Sequence, residues 1–88
     1  MNYQDAIKAC REGHRVARST WGGAYIYFIK GRDVPLARWH GDEPSENEKA
    51  KGSVTILDHF DMFYFDKRII GWSPTSIERS AEDWEVVA

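Results

Sequence analysis

The sequence predicts an α+β domain: an N-terminal helix packed on a mainly antiparallel β-sheet, with a short C-terminal helical turn and a final strand. Three observations predict it. The first thirteen residues carry apolar side chains at helical spacing. Several short aromatic and β-branched runs then follow, each bounded by glycine, proline or aspartate. Near the end, Ser73-Pro74-Thr75-Ser76 has the composition of a helix start, and Trp84 to Val87 that of a short strand.

In the first segment Tyr3, Ala6, Ile7 and Cys10 fall at i, i+3, i+4 and i+7, one face of a helix. Asn2 suits the N-cap, Asp5 suits the positive helix end, and Gly13 suits the stop. His14 to Arg18 reads as extended, with Val16 at its centre. Trp21-Gly22-Gly23 is a turn, and Ala24 to Lys30 is a strand rich in Tyr, Ile and Phe. Gly31-Arg32-Asp33 reads as the next turn, and Val34 to Trp39 as a short edge strand containing Pro35. The polar stretch from about 40 to 52 reads as a mobile surface loop within a single domain spanning 1–88. Ser53 to Leu57 and Phe60 to Phe65 are strands, Asp66-Lys67 a tight reversal, and Arg68 to Trp72 pairs back. Thr75 and Glu78 have capping-box spacing, and Trp84 to Val87 closes the chain as a strand.

The chain has 88 residues, enough for one small core, and self-association is a natural supplement to it. A net charge of −2 argues against a nucleic-acid polymer as partner. No apolar run approaches membrane-spanning length, and no signal peptide is evident. A single cysteine, Cys10, fits a reducing cytosol and reads as a small buried filler.

Candidate chemistry is sparse. No nucleophile–base–acid set is evident, no glycine-rich phosphate loop occurs, and no metal or other cofactor is expected. His59 and Asp61 share one strand face and read either as a polar ligand-binding pair or as a structural hydrogen-bond pair. Two such groups fall short of the three or four that a metal site needs. Trp21-Gly22-Gly23 reads either as a plain hairpin turn or as a site presenting N–H groups and a stacking ring to a ligand. Four tryptophans exceed what one small core absorbs, so one or two are expected partly exposed, with Trp21 the best placed to stack on a ligand and Trp84 buried.

The N-terminal Val16-Ala17-Arg18 to Trp21 element and the C-terminal Gly71-Trp72-Ser73-Pro74-Thr75 and Ala81-Glu82-Asp83-Trp84 elements resemble the small phage proteins of the second Thoeris anti-defence, or sponge, family. The same domain family includes a type II anti-CRISPR. The resemblance implies a non-enzymatic, homo-oligomeric binder, a dimer or tetramer, in the cytoplasm of the infected bacterial host. Its ligand would be a cyclic nucleotide immune signal: glycocyclic ADP-ribose, or a cyclic di- or trinucleotide. The residues expected to bind it are Arg18, Trp21, Gly22, His59, Asp61, Trp72, Thr75 and Ser76. Relative to the family pattern, Gly22-Gly23 stands for a common Asn-Gly, Phe65-Asp66-Lys67 for Ala-Asp-Gly, and Ser76-Ile77-Glu78 for Gln-Thr-Asp. Two other classes stay open. One is a protein-binding inhibitor using the acidic stretch Asp42 to Glu48; the other is a small nucleotide hydrolase using His59 and Asp61.

Overall fold

A computed structural model describes residues 1–87; Ala88, the last residue of the expected domain, lies outside the described residues. Helix α1 spans Tyr3–Arg11, and Asn2 Oδ1 accepts the Asp5 N–H at 2.8 Å. Gly13 takes φ 105°, the left-handed turn-out that an L side chain resists. The strands are β1 (Arg15–Arg18), β2 (Tyr25–Ile29), β3 (Arg32–Pro35), β4 (Ser53–Ile56), β5 (His59–Tyr64), β6 (Lys67–Ile69) and β7 (Trp84–Val87). Five of them form an antiparallel sheet in the order β6-β5-β2-β1-β7, and β3 and β4 form a separate antiparallel pair. The α+β architecture predicted from the sequence is the one observed.

Strand periodicity divides the five-stranded sheet into two unlike faces. Val16 pairs with Ile26 and Val86, and Ile26 pairs with Met62, so these side chains share the face that α1 covers. The core there is Ala6, Cys10, Val16, Ile26 and Trp84, with Tyr3, Phe28, Phe60, Met62 and Trp72 packed around it. The opposite face carries Arg15, Tyr25, Tyr27, Asp61, Phe63, Arg68 and Glu85, and among the described residues no helix packs over it.

Three expectations change between Gly31 and Gly52. Arg32 and Asp33 are not a turn; they open β3 and pair with Ile56 and Thr55. Val34–Trp39 is not one strand: β3 ends at Pro35, which has no N–H to extend a ladder, and Leu36–Arg38 makes a 3-10 turn. Nor is the polar stretch 40–52 a continuous loop, because Glu46–Lys51 forms helix α2. Its capping box is complete: Ser45 Oγ accepts the Glu48 N–H at 3.2 Å, and Glu48 Oε1 accepts the Ser45 N–H at 2.8 Å. Gly52 closes it at φ 85°. Farther on, the β5–β6 reversal is Phe65-Asp66, one residue earlier than expected, and β6 stops at Ile69 rather than Trp72. Helix α3 (Ser76–Ser80) starts at the predicted Thr75 cap.

Together β3, α2 and β4 make an arm whose elements pack mainly on one another. The molecule measures 46 × 25 × 23 Å with a radius of gyration of 15.9 Å. A compact chain of this length would have about 12 Å.

Candidate functional site

The expected ligand-binding residues do not converge on one point. Arg18 ends β1 and pairs with Asp83 just before β7, Nε to Oδ1 at 2.9 Å, while Ser19 Oγ donates to Asp83 Oδ2 at 2.9 Å. The hydrogen bond from Arg18, with that from Ser19, holds the Asp83 carboxyl below its ordinary range and keeps the guanidinium engaged. Thr75 is equally occupied: its Oγ1 accepts the Glu78 N–H at 3.2 Å and its N–H donates to Glu78 Oε1 at 2.8 Å. Ser76 begins α3 and is exposed. Trp72 is half-buried, and its N–H donates to the Phe60 carbonyl at 2.7 Å.

Trp21 has a double position. Its ring meets Trp84 edge-on at 5.1 Å and Trp72 at 6.2 Å, so part of it belongs to the core rim. With Gly22 and Gly23 it also lines a 230 Å³ cleft, closed on the other side by Tyr64, Phe65 and Asp66 from the β5–β6 turn. The pairing Tyr25↔Phe63 places this cleft at one end of the β2–β5 ladder.

His59 and Asp61 lie toward the other end, where Ile29 pairs with His59. Their side chains approach at 3.4 Å, Nε2 to Oδ1, and Nδ1 of His59 lies 2.9 Å from the Leu57 carbonyl. Asp61 is only 5% exposed and also accepts the Gly71 N–H at 3.0 Å, which fastens the chain after β6 to β5. Both line a 470 Å³ cleft at the root of the arm, together with Arg32, Arg38, Trp39 and His40. None of these last four is among the residues expected to bind ligand; Trp39 and His40 sat in what read as an edge strand and a loop. Among the described residues, no group of three His, Cys, Asp or Glu is arranged to hold a metal.

A third feature was also missed. On the uncovered sheet face Arg15 lies 4.8 Å from the Tyr25 ring, and Arg68 lies 4.9 Å from Phe63 and 5.5 Å from Tyr27. Tyr25 and Phe63 stack at 5.0 Å. The signal available in the sequence was the spacing Tyr25-x-Tyr27, which places both rings on one side of a strand.

The fold and its clefts define a small two-layer domain with ring-bearing and cation-bearing surfaces. The Thoeris anti-defense 2-like domain model matches residues 1–87, so the chain belongs to that family. A relative named Thoeris anti-defense 2, from Bacillus phage SP01, is 30% identical over 91 residues, spanning 100% of this chain and 96% of the relative. Among the described residues, no helix is long and apolar enough to cross a membrane.

Proposed function

We propose that this protein is a non-enzymatic phage anti-defence factor that binds a cyclic nucleotide immune signal and withholds it from its effector. The ligand class follows the family resemblance: glycocyclic ADP-ribose, or a cyclic di- or trinucleotide. It acts in the host cytoplasm as a homo-oligomer.

The observation that carries the reading is the cleft at the root of the arm. Arg32, Arg38, His40 and His59 line it together with Trp39, and Asp61, tied to the Gly71 N–H, forms part of its wall. Guanidinium groups suit phosphate oxygens, and an indole suits a base. Family membership supplies the anti-defence context. The alternative of a protein-binding inhibitor using the acidic stretch draws less support, because Glu43 and Glu46 both face Lys49, at 2.7 and 3.6 Å.

The test is retention followed by release. The protein is incubated with each cyclic nucleotide, freed of unbound ligand, then heat-denatured. Release of unchanged ligand is expected. Release of a hydrolysed product would make the protein an enzyme, and no retention of any cyclic nucleotide would end the sequestration reading. Arg38→Ala is expected to weaken retention about ten-fold or more, the loss of one charge-assisted contact.

A further inference from the structure

The pairing registers on the two sides of the arm's root match. The β2–β5 ladder ends at Ile29↔His59, and the β3–β4 ladder begins at Arg32↔Ile56. Two residues are passed over on each strand, Lys30-Gly31 and Leu57-Asp58, so arm and sheet form one long hairpin in a single register, broken at a neck. At that neck Lys30, Leu57 and Asp58 are exposed.

The hairpin also turns over there. Side chains alternate between faces along an uninterrupted strand. Ile29, His59 and Asp61, at odd positions, line the 470 Å³ cleft together with Val34, at an even one. Asp33 and Thr55 line instead a 560 Å³ concavity that reaches Arg11 of α1. A turnover over so few residues brings the crossing backbones very close. Gly31 does not adopt positive φ; its lack of a side chain supplies room rather than a turn. A Cβ there would run into the Ile56 carbonyl oxygen and stand 2.7 Å from the Leu57 carbonyl carbon and 2.8 Å from the Asp58 nitrogen. One side chain ties the crossing. Asp58 Oδ1 accepts the Gly31 N–H at 2.6 Å, a bond strengthened by the carboxylate charge.

The cleft at this root has one wall on each side of the neck. Arg38, Trp39 and His40 ride on the arm, whereas His59 and Asp61 stand on β5 and Ile70 just after β6. Because the arm's elements pack mainly on one another, its angle at the neck sets the gap between the walls. We propose that the neck is a hinge and that Asp58 is its latch, a positioning residue that fixes how wide the cleft stands. Sparse packing and water-exposed backbone mark a segment of low local stability, and a few residues at element ends suffice to absorb a domain swing. Open room beside the neck, 470 and 560 Å³, lets the arm move. The hinge stands on geometry alone; that its gap governs a ligand rests on the sequestration reading above.

The experiment measures the arm-to-sheet distance in the full chain by pulsed electron spin resonance. Spin labels are placed on Glu12→Cys after α1 and Asn47→Cys on α2, both exposed, while Cys10 is buried and spared in the folded chain. The labelled parent should give one narrow distance distribution. Asp58→Ala should broaden it, with a melting temperature within about 8 °C of the parent, the shift of one hydrogen bond. Asp58→Asn keeps an acceptor oxygen and should restore the narrow distribution. Gly31→Ala should displace the mean distance, because the crossing backbones must part to admit the methyl group. With inorganic pyrophosphate as the probe of the cleft's guanidinium groups, Asp58→Ala should bind about five-fold more weakly than the parent, and Asp58→Asn as the parent does. An unchanged distribution in Asp58→Ala, or a parental distance in Gly31→Ala, would overturn the hinge. Broadened distances with undiminished pyrophosphate binding would overturn the positioning role of Asp58. Distances as expected with no pyrophosphate bound by the parent would defeat the ligand reading of the cleft and leave the hinge standing.

Discussion

At Cys10, burial decides the chemistry. The thiol is fully buried beneath α1, 3.8 Å from the Ile26 carbonyl, and desolvation pushes its pKa up to about 11. Only thiolate attacks a disulfide reagent, so the native protein should stay unlabelled by such a reagent at pH 8 and should label after denaturation. Rapid labelling of the folded chain would show the helix opening. The tryptophans divide by a similar logic. Trp84 is 1% exposed, and its Nε1–H donates to the Glu78 carbonyl at 2.9 Å. Trp84→Ala should therefore cost about 3–5 kcal/mol in denaturant melts. Trp21 shares an edge contact with Trp84 but keeps a face in the turn cleft. Its replacement by alanine should cost less stability, about 1–2 kcal/mol, while also weakening ligand. Equal losses at the two positions would make Trp21 wholly a core residue.

Between elements, the short contacts are mostly caps and ties rather than ligand groups. Thr75 secures a helix of only five residues, α3, through its reciprocal bonds with Glu78. Thr75→Ala should cost about 1 kcal/mol of stability and leave ligand retention intact. Lost retention at unchanged stability would return Thr75 to the binding site. Arg18 and Asp83 join the adjacent ends of β1 and β7. Because the folded state lowers the Asp83 pKa below its ordinary 3.8, the pair stabilises above that value and the contribution is lost as pH falls through the lowered one. Parent and Asp83→Asn melting curves should therefore differ near neutrality and converge in acid. Much of this scaffold was legible in the sequence. Helix α1 announced itself through the spacing of Tyr3, Ala6, Ile7 and Cys10, and α3 through the Thr75–Glu78 box. Helix α2 did not, because its six residues have no apolar stripe and its one signal was Ser45 with Glu48. The candidate site was less legible for a different reason. His59 and Asp61 could be paired by strand periodicity, but Arg32, Arg38 and Trp39 reach them only because the chain folds back through β3 and β4.

Across the whole molecule, the sheet is covered on one side only. The bare face holds Tyr25, Tyr27 and Phe63 under two guanidinium groups, an arrangement that leaves aromatic surface half-exposed in a chain of 88 residues. Covering it with a second copy would build a two-sheet sandwich, the ordinary way for such a face to leave water. Charge placement favours that pairing. Arg68 lies on β6 and Glu85 on β7, the two outer strands of the sheet, and both project from the bare face. A two-fold axis parallel to the strands would set Arg68 against Glu85 of the partner subunit, twice in each dimer. Light scattering at micromolar concentration should therefore report a multiple of the 10.2 kDa chain mass. Arg68→Glu should place like charges opposite one another and shift the population toward monomer. Adding Glu85→Arg to that variant should restore the larger species, because the double reversal regenerates the attractive pair in the opposite sense. A parent protein at the single-chain mass would rule out this covering of the sheet. A double variant that stays monomeric would place the interface on another face.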